Sequence, residues 1–111
     1  MDSSTIDRKA LASRTVDELR ALPTDLFHSV LLRYCADLTI SARMHFVDER
    51  FQAARDCNET LHRILGFLAN ELGGKASGAK DSMIEMVVAG AEHQRRLSML
   101  RKALEMVHPR E

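Results

Sequence analysis

Helix-breaking residues are scarce in this chain, and their positions constrain the fold more than any other feature. The two prolines are Pro23 and Pro109, and the five glycines lie at positions 66, 73, 74, 78 and 90. Between them, apolar residues recur at steps of three and four, the spacing of one helix face. The sequence therefore predicts an all-α protein.

The N-terminal part of the chain carries one helix-start signal. Thr15 and Glu18 have the spacing of a capping box, which predicts a short helix running from Thr15 to about Leu22 and stopped by Pro23. Residues 1–14, which precede this signal, are a candidate mobile N-terminal arm.

The next segment, Thr24 to Leu72, is too long for a single helix in a compact domain. One helix would extend roughly 70 Å, about twice the width of a domain of this size. The apolar face also changes sides between about residues 40 and 50, which predicts a turn near residues 47–50. Thr24 would cap the second helix, and Gly73-Gly74 would end the third.

A last long helix is expected to begin at Asp81 or Ser82 and to end at Pro109. The sequence thus predicts a single domain over residues 1–111, an up-down helical bundle of three long helices plus a short N-terminal helix. The residues predicted to be buried are Tyr34, Leu38, Leu61, Leu65, Leu68, Leu97 and Leu104.

The last helix also predicts a contact surface. Opposite its core stripe a continuous helix would carry further apolar residues, and methionine is common at adaptable contact surfaces. We expect this face to bind a second copy in a homodimer, or another helical protein. Its residues are Ile84, Val88, Arg95, Met99, Lys102 and Met106. The alternative is a set of scattered surface apolar residues.

Charge and composition exclude several classes of function. Sixteen basic and sixteen acidic residues give zero net charge, which argues against a nucleic-acid partner. The sequence contains no run of about 18 apolar residues, the length that would predict a membrane span. The first residues also lack the apolar region of a signal peptide, so we expect a cytoplasmic protein. Cys35 and Cys57 fit buried reduced thiols.

Candidate chemistry is sparse. No glycine-flanked serine or cysteine marks a nucleophile, so we expect no enzyme activity and no cofactor. A carboxylate precedes a histidine by three residues, a spacing that bundle metal sites use, at Asp25/His28, Glu59/His62 and Glu105/His108. Because no acidic residue occupies a predicted core stripe, no metal is expected, and a metal-binding bundle remains a second alternative.

One histidine has a more specific context. The motif His62-Arg63-Ile64-Leu65-Gly66 resembles the phosphoacceptor helix of histidine phosphotransfer domains, four-helix bundles that carry His-x-x-Lys-Gly on an exposed face. The resemblance covers five residues and has Leu65 in place of the lysine. It implies that His62 is a candidate phosphoacceptor. The main prediction is a non-catalytic helical interaction or regulatory module that self-associates. The alternative is a phosphotransfer-like signalling protein.

Overall fold

The computed structural model describes residues 3–74 and 78–107, and their side chains except those of residues 3–6. Within these ranges the chain forms helices and no strand, which confirms the all-α prediction. The helices are α1 (Ser3–Ala21), α2 (Thr24–Val47), α3 (Phe51–Leu72), α4 (Lys80–His93) and α5 (Leu97–Val107).

The first helix is longer than predicted. It begins at Ser3, so the expected short helix starting at Thr15 is wrong, and the segment assigned to the arm is helical from Ser3 onward. Thr15 is buried inside α1, where its Oγ1 donates a hydrogen bond to the Leu11 carbonyl at 2.7 Å. Glu18 pairs with Arg101 of α5 instead of reaching back to the backbone. A threonine hydroxyl can bond the carbonyl four residues earlier within a helix, so a Thr-x-x-Glu spacing does not require a helix start.

The helical hairpin of α2 and α3 matches the prediction, except that Pro23 and not Thr24 occupies the N-cap position of α2, which has no side-chain capping bond. The chain turns between Val47 and Phe51, and Glu49 takes the left-handed conformation with φ 62° without help from glycine. Gly73 follows the end of α3, and Gly74 has φ 77°. The phase change of the apolar stripe was therefore a sufficient signal for the first turn, and the glycine pair for the second.

The predicted last helix is two helices, which also corrects the picture of three long helices. The break lies at residues 94–96, where Arg95 has φ 61°. The next residue, Arg96, is buried. Its Nη2 donates hydrogen bonds to the Gly90 carbonyl at 3.3 Å and to Thr60 Oγ1 at 3.4 Å. A Cβ on Gly90 would lie 3.4 Å from that nitrogen, which is a close van der Waals contact, so the guanidinium packs directly against the glycine. At its other end α4 begins at Lys80, with no side-chain cap.

The core lies where α2 packs against α3 and α5 and where α1 packs against α4. The burial predictions are confirmed for Tyr34, Leu38, Leu68, Leu97 and Leu104. Leu61 is half-buried, and the prediction is wrong for Leu65, which is 43% exposed. The buried side of α3 is instead formed by Ala54, Cys57, Ile64, Phe67 and Leu68.

Candidate functional site

Helix α2 has a second apolar face, which we call the outer α2 face. Its side chains are spaced three or four residues apart, and since a helix turns about 100° per residue they lie opposite the side that faces the core. Their exposed fractions are 52% for Leu32, 57% for Ile40, 63% for Met44 and 78% for Val47. The face is formed by Leu32, Ala36, Ile40, Met44 and Val47, all of them exposed. Helix α2 therefore presents apolar side chains on both sides, and only one side is covered.

The outer α2 face is bordered by α5. Ile40 and Met44 line one open groove together with Met99 and Lys102 of α5. A second open groove, about 360 Å³ in volume, is lined by Ile40, Arg43, Met44, Val47 and Asp48. The two grooves share Ile40 and Met44, so the apolar surface continues from α5 across α2 towards the turn before α3.

Two aromatic residues at the α2–α3 turn adjoin this surface, since Phe46 lines an open groove together with Val47. The rings of Phe46 and Phe51 meet edge to face, with their centroids 5.4 Å apart. Both side chains are more than half exposed, Phe46 at 64% and Phe51 at 56%. Contiguous exposed apolar surface of this kind is typical of protein interaction sites rather than of a fully solvated helix.

Charged groups of both signs surround the outer α2 face. Arg33 lies 3.9 Å from Asp37, measured from Nε to Oδ2, and both side chains are partly exposed. Arg43 and Asp48 lie at the end near the turn, and Lys102 lies on the α5 side. Exposed ion pairs of this type stabilise a fold by at most about 1 kcal/mol, so these groups can exchange partners at little cost.

The predicted contact residues do not form one face. Ile84 and Val88 are 0% and 3% exposed and belong to the core, because α4 is a separate helix with its own orientation. Arg95 is exposed in the turn, Met99 is half-buried, and Lys102 and Met106 are exposed on α5. The structure brings Met99 and Lys102 together with Ile40 and Met44 instead.

The outer α2 face was missed by the sequence reasoning although its signal is present. Leu32, Ala36, Ile40 and Met44 recur at intervals of four, parallel to the stripe assigned to the core. Assigning a single stripe to α2 hid the second one. A helix that is apolar on two sides is a sign of contacts on both.

The candidate phosphoacceptor, His62, is exposed on α3. Gly66 lies one turn further along the helix, and a Cβ built there would meet no atom within 4 Å. Leu65 stands beside it, 43% exposed. His62 is thus accessible, and the glycine leaves open space next to it.

The carboxylate-histidine pairs do not converge on one point. His28 Nε2 lies 3.8 Å from Glu71 Oε1, and its ring packs near Phe27 and Phe67. His108 lies outside the described residues. Across residues 3–74 and 78–107, no three histidine, cysteine, aspartate or glutamate side chains come close enough to hold a metal ion.

A buried polar cluster lies near the centre of the bundle. Burial raises the pKa of Tyr34 to about 12, although the charge of Arg96 opposes the shift. Burial also raises the pKa of the Cys35 thiol to about 11. Both groups are therefore protonated at neutral pH, and a protonated buried thiol is a poor nucleophile. The cluster fits a structural role better than a catalytic one.

Comparisons with protein-family models, with curated proteins and with solved structures find no match to this chain. Among the described helices, none combines the length and the apolar character needed to cross a bilayer. The surface of the described helices and their side-chain chemistry are therefore the basis for inferring a function.

Proposed function

We propose that this chain is a non-catalytic helical interaction module, which binds an α-helix of a protein partner through the outer α2 face. The observation that carries the proposal is the uncovered apolar stripe from Leu32 to Val47. The stripe spans 16 residues, or roughly 24 Å of helix, which is enough to pack against several turns of a partner helix.

The kind of partner follows from the chemistry of the surface. A row of aliphatic and methionine side chains on a helix is complementary to another amphipathic helix, whose apolar residues also recur at three and four. Equal numbers of acidic and basic residues support a protein partner over a polyanion. A cytoplasmic location is part of the proposal, and the free thiols Cys35 and Cys57 support it because disulfides are rare in reducing compartments.

A site-specific photo-cross-linker tests the proposal in the native cell. Placed at Ile40, on the outer α2 face, the probe should form a defined covalent adduct with a protein. Placed at Leu72, which is 71% exposed near the end of α3, it should form none. Equal labelling from both positions, or none from Ile40, would contradict a recognition role for this face.

A phosphotransfer-like role is the second candidate, and the accessibility of His62 beside the open Gly66 favours it. Receiver domains charged with acetyl phosphate supply the phosphoryl group in a direct test. Labelling of the wild type that is lost in His62→Gln would support this role, and an unlabelled wild type would exclude it.

A further inference from the structure

We propose that the helix bound by the outer α2 face is α2 of a second copy of this chain, packed antiparallel about a two-fold axis at Ile40. The inference rests on the proposed function for the use of this face and adds the identity of the partner. A two-fold dimer brings the same patch of both copies together, so the patch must complement itself.

The side-chain sizes along the face satisfy that condition. With the axis at Ile40, Leu32 of one copy lies opposite Val47 of the other, and Ala36 lies opposite Met44. The small Ala36 leaves space for the long, flexible Met44 side chain. A parallel arrangement would place Ala36 against Ala36 and Met44 against Met44. The two alanines would leave a gap and the two methionines would be crowded, so this arrangement would pack poorly.

The charged residues beside the outer α2 face fit the same antiparallel arrangement about Ile40. Arg33 lies seven residues before Ile40, in the groove bordered by α5, and Asp48 lies eight residues after it, in the groove near the turn. At about 100° per residue the two positions are only about 60° apart around α2, so they share one flank of the face. The antiparallel two-fold therefore brings Arg33 of each copy towards Asp48 of the other. A parallel two-fold would keep Arg33 of one copy and Asp48 of the other on opposite flanks and roughly 22 Å apart along the helices, so they could not pair. Asp37 competes only weakly for Arg33, since that exposed pair is 3.9 Å apart.

The area of the face sets the expected strength of the dimer. Five exposed residues on α2, with Met99 and Lys102 beside them, present on the order of 500 Å² per copy, which is at the low end of specific interfaces. We therefore expect a reversible dimer with a dissociation constant in the micromolar range rather than an obligate one.

Sedimentation over about 1 to 200 μM tests the association. The wild type should shift from monomer to dimer across this range. Ile40→Glu should weaken dimerisation by at least 100-fold, because the two glutamates would meet at the axis, and its circular dichroism should stay helical since Ile40 is 57% exposed. Leu65→Glu, the matched change on α3, should leave the dimer unchanged. A dimer that Ile40→Glu does not weaken would overturn the proposed interface.

Cysteine cross-linking tests the register. Ile40→Cys should oxidise to a linked dimer, whereas Ala36→Cys should not, because its two copies would lie about eight residues, or roughly 12 Å, apart along the helices. Linking through Ala36→Cys but not Ile40→Cys would refute the two-fold at Ile40. Arg33→Asp and Asp48→Arg should each weaken the dimer, and combining them should restore it.

The outcome also separates this inference from the proposed function. A wild type that stays monomeric at 200 μM, while the probe at Ile40 captures a different protein, refutes the dimer and keeps the interaction module. A monomer with no adduct at Ile40 refutes both.

Discussion

Replacing Arg96 with methionine should stabilise this protein, although the substitution removes two hydrogen bonds. Arg96 is only 5% exposed, and its Nε and Nη1 atoms have no hydrogen-bond partner in the described part of the chain. Its Nη2 reaches two neutral acceptors, at 3.3 and 3.4 Å. No described carboxylate lies within ion-pair distance of its guanidinium.

The expected magnitude follows from these contacts. Burying a cation without a counter-charge costs several kcal/mol. The two bonds to neutral acceptors are long, at 3.3 and 3.4 Å, so each stabilises the fold by no more than about 1.5 kcal/mol, the low end for a charged donor. Methionine keeps an unbranched apolar chain of similar length, so little cavity should form. The net gain in the free energy of unfolding should be about 1 to 3 kcal/mol. For a chain of 111 residues, each kcal/mol corresponds to about 4 °C in Tm.

Thermal and urea denaturation followed by circular dichroism measure the change. Arg95→Met is the matched control, because Arg95 is adjacent and exposed, and it should change stability by less than about 0.5 kcal/mol. A fall in Tm of more than about 4 °C for Arg96→Met, with Arg95→Met unchanged, would show that the buried guanidinium contributes more than it costs.

Three further predictions concern the core, a helix position and alkaline pH. Leu38→Ala, at a site with 0% exposure, should cost about 2 to 5 kcal/mol in urea denaturation, whereas Ile40→Ala on the outer face of the same helix should cost far less at concentrations where the protein is monomeric. Gly66→Ala should raise the free energy of unfolding by about 1 kcal/mol in the same assay, since nothing lies within 4 Å of the new methyl group. A lower free energy of unfolding would contradict the open space at this position. The raised pKa values of Tyr34 and Cys35 mean that the fold favours their protonated forms. The stabilisation that these protonated forms provide is therefore present below about pH 9 and is lost as pH rises to about 12. Tyr34→Phe should remove the part that is lost between about pH 10 and 12.

The boundaries that the sequence predicts correctly are those with a local physical cause. Pro23 cannot continue α1, and Gly74 supplies the positive φ that follows α3. The turn after Val47 has no such residue, yet the shift of the apolar stripe reveals it, because one straight helix cannot keep both stripes on the core.

The break between α4 and α5 had no comparable signal. Arg95 adopts a positive φ that arginine rarely takes, and the side chain of Arg96 packs back against Gly90 and Thr60, a contact that only the tertiary structure creates. Gly90 was visible as a small residue, but a single glycine within a helical pattern does not specify what fills the space beside it. The errors at Ile84 and Val88 follow directly, since their predicted exposure depended on one continuous helix.

The same turn also accounts for the exposure of the outer α2 face. It directs α4 against α1 and leaves only the 11 residues of α5, roughly 16 Å, to lie beside the 24 residues of α2, roughly 36 Å. Met99, near the start of α5, already borders Ile40 and Met44, so α5 offers little further cover towards Val47. A continuous last helix would have been long enough to follow α2 to its end. By dividing that helix, the Arg95–Arg96 turn leaves the outer side of α2 from Met44 to Val47 without cover from α5, while the inner side stays buried against the core. A fold feature that sequence reasoning missed thereby contributes to the surface on which the proposed interaction depends.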